Sequence, residues 1–233
     1  MKLLIITGAS GGIGAATAIA FHSAGWRVVN LSRRPVVLDG VTHISCDLGK
    51  PQFATALAPQ LKSHLRTASS ICLLHNAALL ENDRTGALQD DAWRRILEIN
   101  LVAPNTLNNL VLPHMKEGSS ILYVGSTLSE KAVPNSLSYV TSKHALMGMM
   151  RATCQDLIGR QIHTALICPG FTDTAMLREH VGNDPDVLES IAGLSAYGRL
   201  IDPREIATTL LFAAQSPVLN GAVIHANLGQ IEH

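Results

Sequence analysis

A chain of 233 residues is long enough for one domain with a substantial core. Eighteen Lys and Arg balance eighteen Asp and Glu, and only 4% of residues are aromatic, so neither a basic face for nucleic acid nor a base-stacking platform is expected. No apolar run approaches the length of a membrane span, and the short one after Met1 ends at Thr7-Gly8, which argues against a signal peptide.

The four cysteines, Cys46, Cys72, Cys154 and Cys168, are widely spaced with no Cys-x-x-Cys pair. They suit a reducing compartment, taken as the cytoplasm, and suggest no metal site. Leu3 to Ile6 is an apolar run without polar alternation, as in a strand buried on both faces. It leads into Thr7-Gly8-Ala9-Ser10-Gly11-Gly12-Ile13-Gly14, and then into a helix from Ala15 to Ala24 closed by Gly25. Strand, glycine turn and helix form the context of a dinucleotide loop: backbone can approach a pyrophosphate, and the helix N-terminus offers unpaired N–H groups.

Arg27 to Leu31 is expected to form the second strand, ending at Ser32-Arg33-Arg34. In a dinucleotide fold an acid at this strand end bonds the 2′-hydroxyl of NAD, whereas an arginine accommodates the 2′-phosphate of NADP. No acid appears before Asp39, so Ser32 and Arg33 favour NADP over NAD, unless the arginines merely solvate a surface loop. Thr42 to Cys46 reads as a third strand. Its end brings Asp47 and Leu48 toward the adenine, although a lone Asp after a strand more often caps a helix.

A helix is expected over Gln52 to Arg66, bent or split by Pro59. Ile71 to Leu74 is a fourth strand, followed by His75-Asn76-Ala77-Ala78, whose small residues leave room for a ribose. Asp90 or Asp91 can cap a helix from about Ala92 to Glu98. A second helix runs from about Leu101 to Met115, with Pro104 in its first turn. Asn100, at their junction, is by itself a residue that satisfies backbone groups.

Ser120 to Val124 forms a fifth strand and delivers Ser126 at its carboxyl end, the edge where such sheets bind ligands. A helix from about Ser136 to Ile158 carries Tyr139 and Lys143 one turn apart on one face. An ammonium beside a phenol favours the phenolate and draws its pKa down toward the working range. A phenol so tuned can give a proton to a carbonyl oxygen or take one from an alcohol, with the Ser126 hydroxyl holding the same oxygen. The pair alone is weak evidence, since many helices carry Tyr and Lys at this spacing. Met147, Met149 and Met150 read as core or subunit interface.

His163 to Ile167 is a sixth strand, and residues 175–197 have the mixed composition of a mobile covering segment. Asp202-Pro203 opens a helix to about Gln215, and Ala222 to Ala226 forms a seventh strand. Alternating strands and helices indicate an α/β, doubly wound Rossmann-type parallel sheet of about seven strands, with helices on both faces, in one domain.

From Lys2 to Gly229 the chain resembles the short-chain dehydrogenase/reductase family, in its compact single-domain branch. The resemblance rests on Thr7-Gly8-x-x-x-Gly12-x-Gly14, on His75-Asn76-Ala77-Ala78 where the family has Asn-Asn-Ala-Gly, and on Asn100, Ser126, Tyr139 and Lys143 in the order of its catalytic tetrad. It rests also on Pro169-Gly170 with Thr172 and Thr174, which match the segment holding the nicotinamide end. The resemblance implies Tyr139 as general acid or base and Ser126 as the group orienting the substrate oxygen. It implies that Lys143 holds the nicotinamide ribose and tunes Tyr139, and that Asn100 holds a water linking Lys143 to solvent. Asn76 and Ala77 would flank the cofactor. Family members form dimers or tetramers, often through the two long helices.

The expectation is an NADP(H)-dependent carbonyl reductase, reversible as an alcohol dehydrogenase, acting on a small or medium uncharged ketone, aldehyde or secondary alcohol. A different class is a regulatory protein that binds NADP and has lost chemistry; the filled tetrad argues against it. An epimerase or dehydratase of the extended branch is disfavoured by the loop type and by the lack of a sizeable C-terminal substrate domain.

Overall fold

Leu3–Thr7 (β1) is buried along its whole length, as expected of a strand covered on both faces. In the computed structural model, which describes residues 1–230, six further strands join it: Arg27–Ser32 (β2), Thr42–Ser45 (β3), Ile71–His75 (β4), Ser120–Val124 (β5), His163–Pro169 (β6) and Ala222–Ala226 (β7). They form one parallel sheet in the order β3-β2-β1-β4-β5-β6-β7. From β1 the chain first steps outward to β2 and β3, then returns to build β4 to β7 on the other side. The carboxyl ends of β1 and β4 therefore flank a crevice, the place where sheets of this kind bind ligands.

Alternation along the strands splits the core between the two faces. Leu3 and Ile5 point to the face covered by Phe53–Thr67 (α2), Ala103–Val111 (α4) and Leu137–Asp156 (α5). Leu4 and Ile6 point to the face covered by Gly12–Ser23 (α1) and Pro203–Ala214 (α8). Burying each such aliphatic side chain contributes roughly 1.5–3 kcal/mol.

Several elements depart from the sequence reading. The first helix begins at Gly12 rather than Ala15, because the end of the glycine turn is itself the first helical turn. Pro59 neither splits nor ends α2: Phe53, Leu57, Leu61 and Leu65 hold the buried face, and the exposed Pro59 removes a backbone bond only on the solvent side.

The two helices expected around Asn100 are continuous. Asp90–Leu97 (α3) passes into a π-helical turn, Glu98–Val102, and then into α4. Pro104 has no N–H to give the carbonyl of Asn100, and the wider turn absorbs the mismatch, with Ala103 N–H donating to the Glu98 carbonyl. Gln89, rather than Asp90 or Asp91, stands at the N-cap; both acids lie in the first turn, where they oppose the helix dipole. Residues 175–197 are not irregular, since they contain Ala175–Val181 (α6) and Pro185–Ala192 (α7). The Asp202 cap holds as expected, its side chain accepting from Arg204 N–H at 2.9 Å while Glu205 accepts from Asp202 N–H at 2.9 Å.

Candidate active site

The glycine turn is shaped by three side chains that bind backbone. Thr7 Oγ1 accepts from the N–H groups of Asn76 and Ala77, both at 3.0 Å. Asn76 Nδ2 donates to the carbonyls of Thr7 (2.9 Å) and Gly8 (3.1 Å), and Asn30 Oδ1 on β2 accepts from Ala9 N–H at 3.1 Å. The turn is thus clamped to β4 on one side and β2 on the other. Gly8 takes φ +72°, a left-handed conformation that favours glycine. A Cβ at Gly14 would lie 2.4 Å from the Gly8 carbonyl oxygen, so the helix can pack on the turn only without a side chain there.

These residues fit a dinucleotide. No side chain caps the N-terminus of α1, a Cβ at Gly11 would meet nothing within 4 Å, and Ser10 and Ile13 are only partly buried beside it. An uncapped helix end with open backbone before it is suited to a pyrophosphate. At the end of β2, Ser32 is buried and donates to the Arg34 carbonyl, whereas Arg33 and Arg34 are exposed and form no ion pair among the described residues. Past β3, Asp47 accepts from Gly49 N–H at 3.1 Å and Leu48 is buried, so one carboxylate oxygen closes a local turn instead of capping a helix.

Beyond β6, Thr172 donates to the Gly170 carbonyl at 3.0 Å, and Thr174 caps α6 by accepting from Leu177 N–H at 3.3 Å. Both hydroxyls are engaged with local backbone. The segment still reaches the glycine turn, since a Cβ at Gly12 would lie 3.1 Å from Thr174 Cγ2. Pro169 ends β6, and Gly170 packs so closely on Asn227 that a Cβ would come within 3.0 Å of its Cα.

Ser126, Tyr139 and Lys143 come together at the carboxyl edge of β5. Ser126 opens a 3₁₀ turn, Thr127–Ser129, in which its N–H donates to Ser129 Oγ at 3.2 Å and its Oγ accepts from Leu128 N–H at 3.1 Å. Its hydroxyl lies near enough to the Tyr139 phenol to work against the rise that burial causes in the phenol's pKa. Lys143 is buried, donates to the Val124 carbonyl at 2.7 Å, and lies 5.3 Å from the centroid of the Tyr139 ring. Gly125 precedes Ser126 because a Cβ there would meet Cys168 Sγ at 2.9 Å and Ser129 Oγ at 3.0 Å.

The electrostatics correct one expectation. Burial pushes the Tyr139 phenol up to about 12, with the Ser126 hydrogen bond opposing the rise and the Cys168 charge adding to it. The neighbouring Lys143 does not offset that rise. Burial lowers its own pKa to about 8, and its ammonium lies over the ring face, committed to the Val124 carbonyl. Burial also raises the Cys168 thiol above its ordinary value. Without cofactor, Tyr139 at neutral pH is a protonated acid.

Asn100 is buried in the π turn. Its Oδ1 accepts from Leu79 N–H at 2.8 Å, and its Nδ2 donates to the Leu79 carbonyl (3.0 Å) and to Ser142 Oγ (2.9 Å). Its side chain therefore joins the loop following β4 to α5, and does not touch Lys143 directly. Asp83 was missed from the sequence although it serves the same helix: it accepts from Ser138 N–H at 2.9 Å and from the Ser138 hydroxyl, tethering the first turn of α5. Asn30 was missed as well, and the clamping role of Thr7, named only as part of the loop motif, was not read. A lone polar residue in or at the end of an apolar strand carries no periodic signal, and only the pairing of β2, β1 and β4 shows what each holds.

Among the described residues no helix is long and apolar enough to cross a membrane. The family model described as Enoyl-(Acyl carrier protein) reductase matches residues 8–230. Protein FixR of Bradyrhizobium diazoefficiens is 30% identical over 248 aligned positions, covering 98% of this chain and 86% of that one. The ligand-free aldohexose dehydrogenase of Thermoplasma acidophilum superposes with a TM-score of 0.90 at 27% identity, covering 98% and 93% of the two chains. The angucycline C-6 ketoreductase LanV, solved with bound NADP, gives a TM-score of 0.85 at 28% identity over 98% and 95%. With the seven-stranded parallel sheet, the glycine turn and the Ser126–Tyr139–Lys143 cluster, these likenesses show that the chain belongs to the short-chain dehydrogenase/reductase family of oxidoreductases.

Proposed function

We propose that this protein is an NADP(H)-dependent carbonyl reductase, reversible as an alcohol dehydrogenase. One observation carries the reading: Ser126, at the carboxyl edge of β5, lies near enough to the Tyr139 phenol to influence its ionisation, with Lys143 one helical turn on and 5.3 Å from the ring centroid. The nicotinamide, when bound, supplies the hydride to the carbonyl carbon in reduction and receives it in oxidation. Ser126 donates to the substrate oxygen and sets its position, and Tyr139 delivers the proton that completes the alcohol. A phenol held up at about 12 is in the acid form over the whole neutral range, which suits reduction. Lys143 holds the ribose hydroxyls, and its positive charge favours the phenolate left after transfer. Asn100 ties α5 to the loop following β4, and a water resting there would pass protons toward Lys143.

Arg33, exposed at the end of β2, is the group for the 2′-phosphate, and Asp47 and Leu48 border the adenine. The substrate is a small or medium ketone, aldehyde or secondary alcohol. Two or four copies associate through α4 and α5, in the cytoplasm, where the four unpaired cysteines stay reduced. The test is NADPH oxidation with a panel of carbonyl compounds. Turnover of at least one is expected. Tight NADPH binding with no turnover of any would instead support a regulatory protein of the same fold.

A further inference from the structure

Ser126 is held by the turn it opens, and the turn treats its backbone and its hydroxyl differently. Its N–H donates to Ser129 Oγ at 3.2 Å, and its carbonyl accepts from Ser129 N–H at 2.9 Å. Both backbone groups of Ser126 are thus closed on a single residue. Its Oγ accepts from Leu128 N–H at 3.1 Å, which occupies one of the two lone pairs. The proton of the Ser126 hydroxyl is used by none of these bonds.

Ser129 is itself fixed from behind. It is fully buried, and its Oγ lies 3.0 Å from the point that a Cβ on Gly125 would occupy, with Cys168 Sγ 2.9 Å from the same point. Gly125 N–H donates to the Ile167 carbonyl at 2.7 Å, so β6 anchors the start of the turn. The Ser129 hydroxyl lies near enough to Cys168 to work against the rise that burial causes in the thiol's pKa. A hydroxyl that gives its proton toward the sulfur turns a lone pair toward the Ser126 N–H. Ser129 Oγ is therefore set between Cys168 and the backbone of Ser126.

We infer that Ser129 is a positioning residue for Ser126, fixing it as a hydrogen-bond donor toward the reacting oxygen. A serine hydroxyl free to rotate can equally accept the Tyr139 proton, which spends that proton on Ser126 instead of on the substrate. With Leu128 N–H already bonded to Oγ, the hydroxyl is the better donor, because hydrogen bonds in a chain polarise one another. Its effect on Tyr139 has the matching sign: Ser126 opposes the rise in the phenol's pKa, as a donor facing the phenol oxygen does. The inference rests on the proposed carbonyl reduction and adds what gives the orienting group its polarity. Ser129 acts only through Ser126.

The test is a double-mutant cycle of Ser129→Ala and Ser126→Ala, read by single-turnover reduction of 2,3-butanedione with NADPH. In the wild-type background Ser129→Ala should lower the rate constant by about tenfold and leave NADPH affinity within about twofold; in the Ser126→Ala background it should have no further effect. Ser129→Cys, which keeps the shape but offers only a weak acceptor, should lose rate in the same way. Amide hydrogen exchange at Ser126, measured without substrate, should speed up by about tenfold in both Ser129 variants. An equal loss of rate in both backgrounds, or unchanged exchange at Ser126, overturns the positioning role and leaves the reductase reading intact. Wild-type protein that binds NADPH and leaves the diketone and the rest of the carbonyl panel unreduced defeats the reductase reading itself, and the inference with it.

Discussion

His75 ends β4 as a fully buried imidazole, stacked 4.9 Å from the Tyr123 ring, with Nε2 bonded to Asn108 Oδ1 at 2.8 Å. Asn108 in turn donates to the Tyr123 hydroxyl at 2.9 Å, so one polar chain joins β4, α4 and β5. Burial lowers the His75 pKa from 6.5 to about 4, with the Asn108 bond opposing. The folded protein keeps this imidazole neutral while the unfolded chain binds a proton below about 6.5. Its contribution to stability is therefore complete above that pH and is lost as pH falls toward 4. In His75→Gln the urea midpoint should fall less steeply between pH 6.5 and 4 than in the wild type; an unchanged slope would remove His75 from this role. At the same scale, Arg33→Ala should erase most of a preference for NADPH over NADH, about tenfold to a hundredfold for a charge-assisted bond to phosphate. Equal affinities for the two nucleotides in the unmutated protein would refute that assignment. The expectation for Arg33 comes from its place after a strand, where an arginine suits a 2′-phosphate. The value of His75 was not legible, since its partner Asn108 is brought to it only by the packing of α4 on the sheet.

The join between the glycine turn and α1 is a matter of backbone packing on backbone. With a Cβ at residue 14 placed 2.4 Å from the Gly8 carbonyl and 2.6 Å from Asn76 Nδ2, Gly14→Ala must push the turn off β4 and break the Asn76 clamp. Overpacking of this kind costs about 1–3 kcal/mol. The variant should melt lower and bind NADPH more weakly, and unchanged binding would show that the turn does not serve the nucleotide. The start of α5 depends on a remote tether, because Ser136 at its N-cap makes no side-chain cap and Asp83 binds Ser138 instead. Asp83→Ala should lower kcat with little change in NADPH affinity, as Tyr139 loses its fixed aim; a normal kcat would make the tether dispensable. Strand and helix identities were readable from uninterrupted apolar runs and glycine punctuation. The π turn and the helices of residues 175–197 were not. One arises from the missing N–H of Pro104 within an otherwise helical stretch, and the others are short helices broken at Gly182 and ended at Gly193.

Across the whole molecule, the sheet order brings to one edge residues far apart in sequence: Ser126 from β5, Tyr139 and Lys143 from α5, and the glycine turn from β1. The alternation of strands and helices put Ser126 at the ligand-binding edge of the sheet, while the full set of expected site residues came from the family resemblance. The ionisation state followed from neither. A Tyr and a Lys one turn apart suggest an acidified phenol, but the depth at which both lie decides the sign, and burial wins over the neighbouring charge. The proposed chemistry turns on Tyr139 as proton donor to a substrate oxygen held by Ser126. Its most direct test is the turnover of Tyr139→Phe on a carbonyl compound that the wild type reduces, with NADPH affinity measured alongside. The fold and NADPH affinity should be unchanged and kcat reduced by at least about a hundredfold; turnover close to wild type would remove Tyr139 from the proton transfer.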